Sequence, residues 1–136
     1  KGQEYSLISN FLSFSYITNT GIAFGWQPFK GQLILFFFAT IIAIFFVLKI
    51  LSDSVKDSFL TQFSLCLILG GALGNFIDRL FTTFKIMNYE GVIDFINISL
   101  FIKFPYTFNF ADTFISIGIF LYIISFIRLK FIDAKR

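Results

Sequence analysis

Histidine is missing from this chain. Its absence removes the usual general base, the Ser-His-Asp and Cys-His nucleophile systems, and the commonest zinc ligand. Cysteine is nearly missing as well. Cys66 stands alone in an apolar run, so no internal disulfide can form, and the thiol is expected as a small core residue. Charge is scarce: 14% of the 136 residues are charged, against roughly 25% in a soluble domain. The 11 Lys and Arg against 8 Asp and Glu leave a net charge of +3, with no basic stripe interleaved with aromatics to read nucleic acid. Chemistry here has to come from carboxylates, Lys, Ser, Thr, Tyr or Asn.

What the chain has in excess is hydrocarbon. Apolar residues make up 57% of it, Phe alone occurs 23 times, and the mean hydropathy is +0.82. These values describe an integral membrane protein. A bilayer core takes about 20 apolar residues per helix. Spans are expected at 31–50, 58–77 and 112–130, with uncharged cores Gly31–Leu48, Ser58–Ile77 and Thr113–Ile127. In the last, Asp112 marks one membrane surface while Arg128 and Lys130 snorkel to the other. The stretch Tyr5–Phe29 is also uncharged, but Ser6, Ser9, Asn10, Ser13, Ser15, Thr18, Asn19, Thr20 and Gln27 oppose insertion. Alternation with period two around Leu12–Tyr16 predicts strands there, a true span being the alternative. Trp26 and Pro28 then read as an interfacial lead-in to the first span.

Positive charge sets the orientation. One side carries Lys49, Lys56, Arg128, Lys130, Lys135 and Arg136 in short segments; the other spreads Lys1, Lys30, Arg79, Lys85 and Lys103 over long ones. The dense side is expected to be cytoplasmic. Residue 1 then lies outside, and no signal-like stretch precedes it, so an N-terminal span is expected ahead of this sequence. The expected organisation is a single membrane-embedded domain, 1–136, with extracytoplasmic segments at 1–30 and 78–111. No internal repeat or linker divides it.

Two acids stand out against this background: Asp94 in Gly91-Val-Ile-Asp-Phe95 and Asp112 in Phe108-Asn-Phe-Ala-Asp112. A carboxylate near hydrocarbon is costly to ionise and needs a partner, a cap to make or a proton to move. Asp112 has a structural reading, because Asn109 is a good N-cap and an acid three residues later completes a capping-box-like start. Asp94 has no such reading. It has no Lys or Arg within four residues, is expected on a loop, and burial would favour its neutral form. Two carboxyls at the outer surface suit a water-activating pair, one ionised and the other protonated, or equally an ion-transport path.

The second span ends Gly70-Gly-Ala-Leu-Gly-Asn-Phe-Ile-Asp-Arg79. Gly70 and Gly74 read as a small-xxx-small helix-packing pair. Asn75 shares a helix face with Asp78 and Arg79. Asp78 and Arg79 read either as a surface charge pair or as part of a site on the face poor in cations.

Four blocks in order, Asn19-Thr-Gly-Ile-Ala-Phe-Gly25, Gly70 to Arg79, Val92-Ile-Asp-Phe95 and Phe108 to Asp112, make the chain resemble bacterial lipoprotein signal peptidase, signal peptidase II. The resemblance implies an all-α integral membrane bundle, four spans in the family and three in this chain. A small extracytoplasmic β-sheet and a mobile external helix before the last span go with it. It also implies an intramembrane aspartic endopeptidase of the cytoplasmic (inner) membrane, acting as a monomer towards the extracytoplasmic face. The substrate is then a diacylglyceryl-modified prolipoprotein, cut just before the lipidated cysteine, with membrane lipid as the other partner. Asp94 and Asp112 map onto the catalytic pair and Asn19, Asn75, Arg79 and Asn109 onto substrate-binding positions, Asp78 being structural support. No cofactor or metal is expected.

Three departures accompany the likeness. The family's first span is absent, Thr18 stands where an Arg is common, and Tyr106 and Thr107 separate Pro105 from Phe108 where one residue is usual. The competing reading is a non-enzymatic membrane transporter or assembly subunit using Asp94 and Asp112 as ion sites.

Overall fold

Peptide groups in hydrocarbon have no water to pair with, so uncharged Leu-, Ile- and Phe-rich runs become helices whose hydrogen bonds are internal. A computed structural model of the chain describes residues 4–20, 32–100 and 102–133, with side chains at 4–20, 32–99 and 107–131. Among these, three helices are long and apolar enough to cross a membrane. Helix α1 is Gln32–Asp53, α2 is Phe59–Thr83 and α3 is Phe110–Asp133. At 1.5 Å per residue their 22, 25 and 24 residues reach about 33, 37 and 36 Å, more than a core of about 30 Å. Three apolar helices with a small antiparallel sheet are the architecture the sequence predicts. Residues 21–31, with Trp26, Pro28 and Lys30, lie outside the described residues, as do Lys1, Lys135 and Arg136.

The chain groups into two compact units, residues 1–39 with 75–109, and residues 40–74 with 110–136. In the second unit α1 gives way to α2 through a tight turn. Ser58 caps α2, its hydroxyl accepting the Thr61 N–H at 3.3 Å, and the Gln62 amide donates back to the carbonyl of Val55 at 2.9 Å. Helices α2 and α3 then meet along small residues. At one end the hydroxyls of Thr61 and Ser125 lie 2.7 Å apart; further along, a methyl on Gly118 would meet the Ser64 carbonyl and Ile68.

At the other end of this seam Gly71 has room for no side chain. An added methyl would drive into the carbonyl of Ala111 and the side chain of Ile115. Gly70 has nothing within 4 Å, so the close approach expected at Gly70 belongs to Gly71, while Gly74 does contact Ala111. Cys66 is likewise not a core residue but exposed. A thiol has little to lose on a surface bathed in hydrocarbon. Gly71→Ala is expected to destabilise the protein by about 1–3 kcal/mol, as overpacking does. Gly70→Ala should be neutral or slightly stabilising, because it removes a helix-interior glycine. Thermal unfolding of both variants in one detergent checks this, and equal midpoints would contradict the seam.

The first unit is built on a four-stranded antiparallel sheet, β1 (Glu4–Ile8), β2 (Leu12–Asn19), β3 (Val92–Leu100) and β4 (Ile102–Phe108), in that order. Asn10, at φ 58°, turns the chain from β1 to β2, a conformation Asn tolerates better than most residues. The resemblance places an external helix before the last span. Residues 92–100 and 102–108 are strands instead, and between α2 and β3 the described residues Ile86–Asn88 form only a short turn, kinked at a left-handed Met87. The alternation in Val92-Ile-Asp-Phe-Ile explains this: with period two, Val92, Asp94 and Ile96 fall on one face, and all three are buried. Asp94 therefore sits inside a strand, not on a loop. On the other face Asn97 links the strands, donating to Ser15 at 2.9 Å and accepting from Thr107 at 2.8 Å. Phe37 of α1 closes the unit's apolar side, its ring 5.4 Å from Phe76 and 5.7 Å from Phe84.

Candidate active site

Strand β2 carries an irregularity that decides what reaches Asp94. Phe14 opposes Ile96 and Ile17 opposes Asp94, so β2 has one more residue than β3 over this stretch, a β-bulge. With unbroken pairing Tyr16 would oppose Asp94 and Asn19 would fall on the far face. The bulge shifts the phase, so that Asn19 opposes Val92 and becomes the diagonal same-face neighbour of Asp94. Gly91 lets the backbones close up, since a methyl there would come within 2.8 Å of the Asn19 carbonyl oxygen. The result is a hydrogen bond of 3.0 Å from Asn19 Nδ2 to Asp94 Oδ2.

The other carboxyl oxygen is held from the opposite direction in the chain. Asn109, the residue before α3, donates through Nδ2 to Asp94 Oδ1 at 2.9 Å and to Asn75 Oδ1 on α2 at 3.3 Å. Asp94 is 3% exposed, Asn109 5% and Asn75 6%, so these three side chains are buried, while Asn19 is half-buried. Hydrogen bonds to a charged acceptor are each worth roughly 1.5–3 kcal/mol, and with both oxygens engaged the carboxyl plane is fixed. A fixed, buried carboxyl is suited to positioning a water or a reacting carbonyl.

Arg79 follows Asn75 by one helical turn of α2. Together with Asn19, Thr20 and Thr82 it lines the polar side of a small cleft whose apolar side is Leu33, Phe36 and Val92. Asp78 accepts a 2.8 Å hydrogen bond from the Tyr89 hydroxyl, and Thr82 donates to the Asp78 backbone carbonyl at 2.8 Å. Burial, reinforced by the bond to Asp78, pushes the Tyr89 phenol up to about 12. Asp112 stands half-buried in the first turn of α3, in the second unit, three residues along the chain from Asn109. Of the residues singled out in the sequence, Asn19, Asn75 and Asn109 gather around Asp94, and Arg79 shares a cleft with Asn19. Among the described residues no group of three or more His, Cys, Asp or Glu forms a metal cradle.

A family model described as signal peptidase (SPase) II matches residues 1–128. The chain belongs to the signal peptidase II family. A lipoprotein signal peptidase from Lactobacillus gasseri is 39% identical over 134 residues, covering 98% of this chain and 78% of the relative. One from Streptococcus pneumoniae is 32% identical over 127 residues, covering 93% and 76%. Among solved structures, a bacterial membrane enzyme determined by the in meso method at 2.3 Å superposes with a TM-score of 0.76 at 32% identity, over 93% of this chain and 72% of the other. This signal peptidase II chain is thus a multi-pass membrane protein of bacterial type.

Within this family member, residues around the site escaped the sequence. Thr20 lines the cleft from within the Asn19–Gly25 block without having been singled out there, while Thr82, also in the cleft, and Tyr89, which holds Asp78, carry no motif signal. Tyr89 lies eleven residues after Asp78, across a turn that no hydrophobic period describes. The Asn19 to Gly25 block is described only at Asn19 and Thr20; its remaining residues lie outside the described part.

Proposed function

We propose that this chain is an aspartic endopeptidase that removes the signal peptide from diacylglyceryl-modified prolipoproteins, cutting the peptide bond just before the lipidated cysteine. Asp94 and Asp112 form the acid/base pair. One, ionised, takes a proton from water; the water attacks the scissile carbonyl; the other, protonated, hydrogen-bonds the developing oxyanion and then gives its proton to the leaving amine. Asn19 and Asn109 orient the Asp94 carboxyl, Asn75 fixes Asn109, and Arg79 holds substrate in the cleft. Acyl chains left in the outer leaflet tether the substrate and present its cysteine to the pair. The end of the helices bearing Lys49, Lys56, Arg128 and Lys130 faces the cytoplasm, and the reaction faces the other side.

The observation that carries this reading is the environment of Asp94, a buried carboxyl with both oxygens held by amides, in a chain whose relatives are lipoprotein signal peptidases. Purified protein in lipid, incubated with a diacylglyceryl-modified prolipoprotein, should release a free signal peptide. The rate should follow a bell-shaped pH profile with one limb below about pH 6, as coupled carboxyls give. Ion flux without proteolysis would replace this reading with a transporter.

A further inference from the structure

Between the end of α2 and the start of β3 the chain turns back through an unusual hook. Lys85, Met87 and Asn88 all have left-handed backbones, at φ 52°, 53° and 57°, and Met87 is 88% exposed. Such conformations persist only where surrounding contacts over-determine them. Here the contacts converge on Tyr89. Its N–H donates to the Ile86 carbonyl at 3.1 Å, its ring meets Phe81 edge-on at 5.6 Å, and its hydroxyl donates to Asp78 Oδ1 at 2.8 Å. The phenol's raised pKa keeps that proton in place at any working pH.

We infer that Tyr89 is a positioning residue for Asp94, its hydroxyl latching the approach to β3 onto Asp78 of α2. Two ties then run from the outer turns of α2 to β3. The first passes from Asn75 through Asn109 to the Asp94 carboxyl; the second passes from Asp78 through Tyr89 to the backbone five residues ahead of Asp94. Between Tyr89 and Asp94 lies Gly91, packed on the Asn19 backbone, so a shift at Tyr89 passes straight into the Asn19–Asp94 contact. The first tie sets where the carboxyl points, and the second sets where the strand begins. The inference rests on Asp94 acting in the reaction.

The test is steady-state cleavage of a diacylglyceryl-modified prolipoprotein by the full chain in lipid. Tyr89→Phe removes only the hydroxyl and keeps the ring contact with Phe81. It should lower kcat about tenfold, with KM within twofold and the unfolding midpoint little changed, since small misplacements of reacting groups cost rate rather than binding. Asp78→Asn keeps an acceptor oxygen for the phenol and should stay within about threefold of the parent. Asp78→Leu removes the acceptor and should match Tyr89→Phe, and combining Asp78→Leu with Tyr89→Phe should cost no more than either alone. Unchanged kcat in Tyr89→Phe, or additive losses in the double variant, would overturn the latch while an inactive Asp94→Asn left the proposed function standing. Full activity in Asp94→Asn would overturn both.

Discussion

Replacing Asp94 by Asn is expected to lower kcat on the order of a thousandfold or more while the protein stays folded in lipid. Positioned acid/base groups contribute about 10²- to 10⁴-fold each, and here the substituted group cannot move a proton at all. The structure adds a second, smaller effect. Asn19 and Asn109 each aim an amide N–H at one carboxyl oxygen. An Asn at 94 offers one oxygen and one NH₂, so one buried donor must face another donor, at a cost of about 1–3 kcal/mol. The variant should therefore unfold at lower temperature than the parent yet still fold, so the two measurements separate cleanly. A modest midpoint loss with near-complete loss of cleavage supports the assignment; cleavage surviving within tenfold would refute it.

Asp112→Asn is expected to do comparable damage to cleavage and much less to stability. The position has a purely structural role available, as an acid in the first turn of α3 behind Asn109. If that were all, the variant would forfeit the charge–dipole contribution of about 0.3–1 kcal/mol and keep its rate, since Asn is well tolerated near a helix start. If Asp112 moves a proton, kcat should fall by a hundredfold or more at an almost unchanged midpoint. Comparing pH profiles of the parent and of any residual activity sharpens the result. A pair of coupled carboxyls gives two limbs, and removing either member should erase the bell rather than slide it.

The spans were legible because length without charge is a sufficient signal in a bilayer. The polar blocks were legible because Asn19, Asn75, Arg79, Asp94 and Asn109 are conspicuous in so apolar a chain. Faces within the spans were not. Lipid and protein interior are equally apolar, so hydropathy cannot tell the packed Gly71 from the open Gly70, nor the outward Cys66 from a core residue. Strand β3 was misread for another reason. Its period-two pattern is present in Val92-Ile-Asp-Phe-Ile, but the acid at its centre looks like a loop residue until the Asn amides that satisfy it are known. Those amides come from 75 residues before Asp94 and 15 after it, distances that no local pattern spans.

The extra residue between Phe14 and Ile17 works like a frameshift in a two-letter code. Everything after it in β2 is read on the face opposite to the one its spacing from Leu12 would give. Side-chain identity at Ser15 and Tyr16 is therefore less constrained than the number of residues there. Removing one residue, or adding one, would turn Asn19 away from Asp94 without altering any residue that contacts the carboxyl, whereas a two-residue insertion would restore the frame. The site thus depends on chain length in β2 as strictly as on the amides and acids themselves.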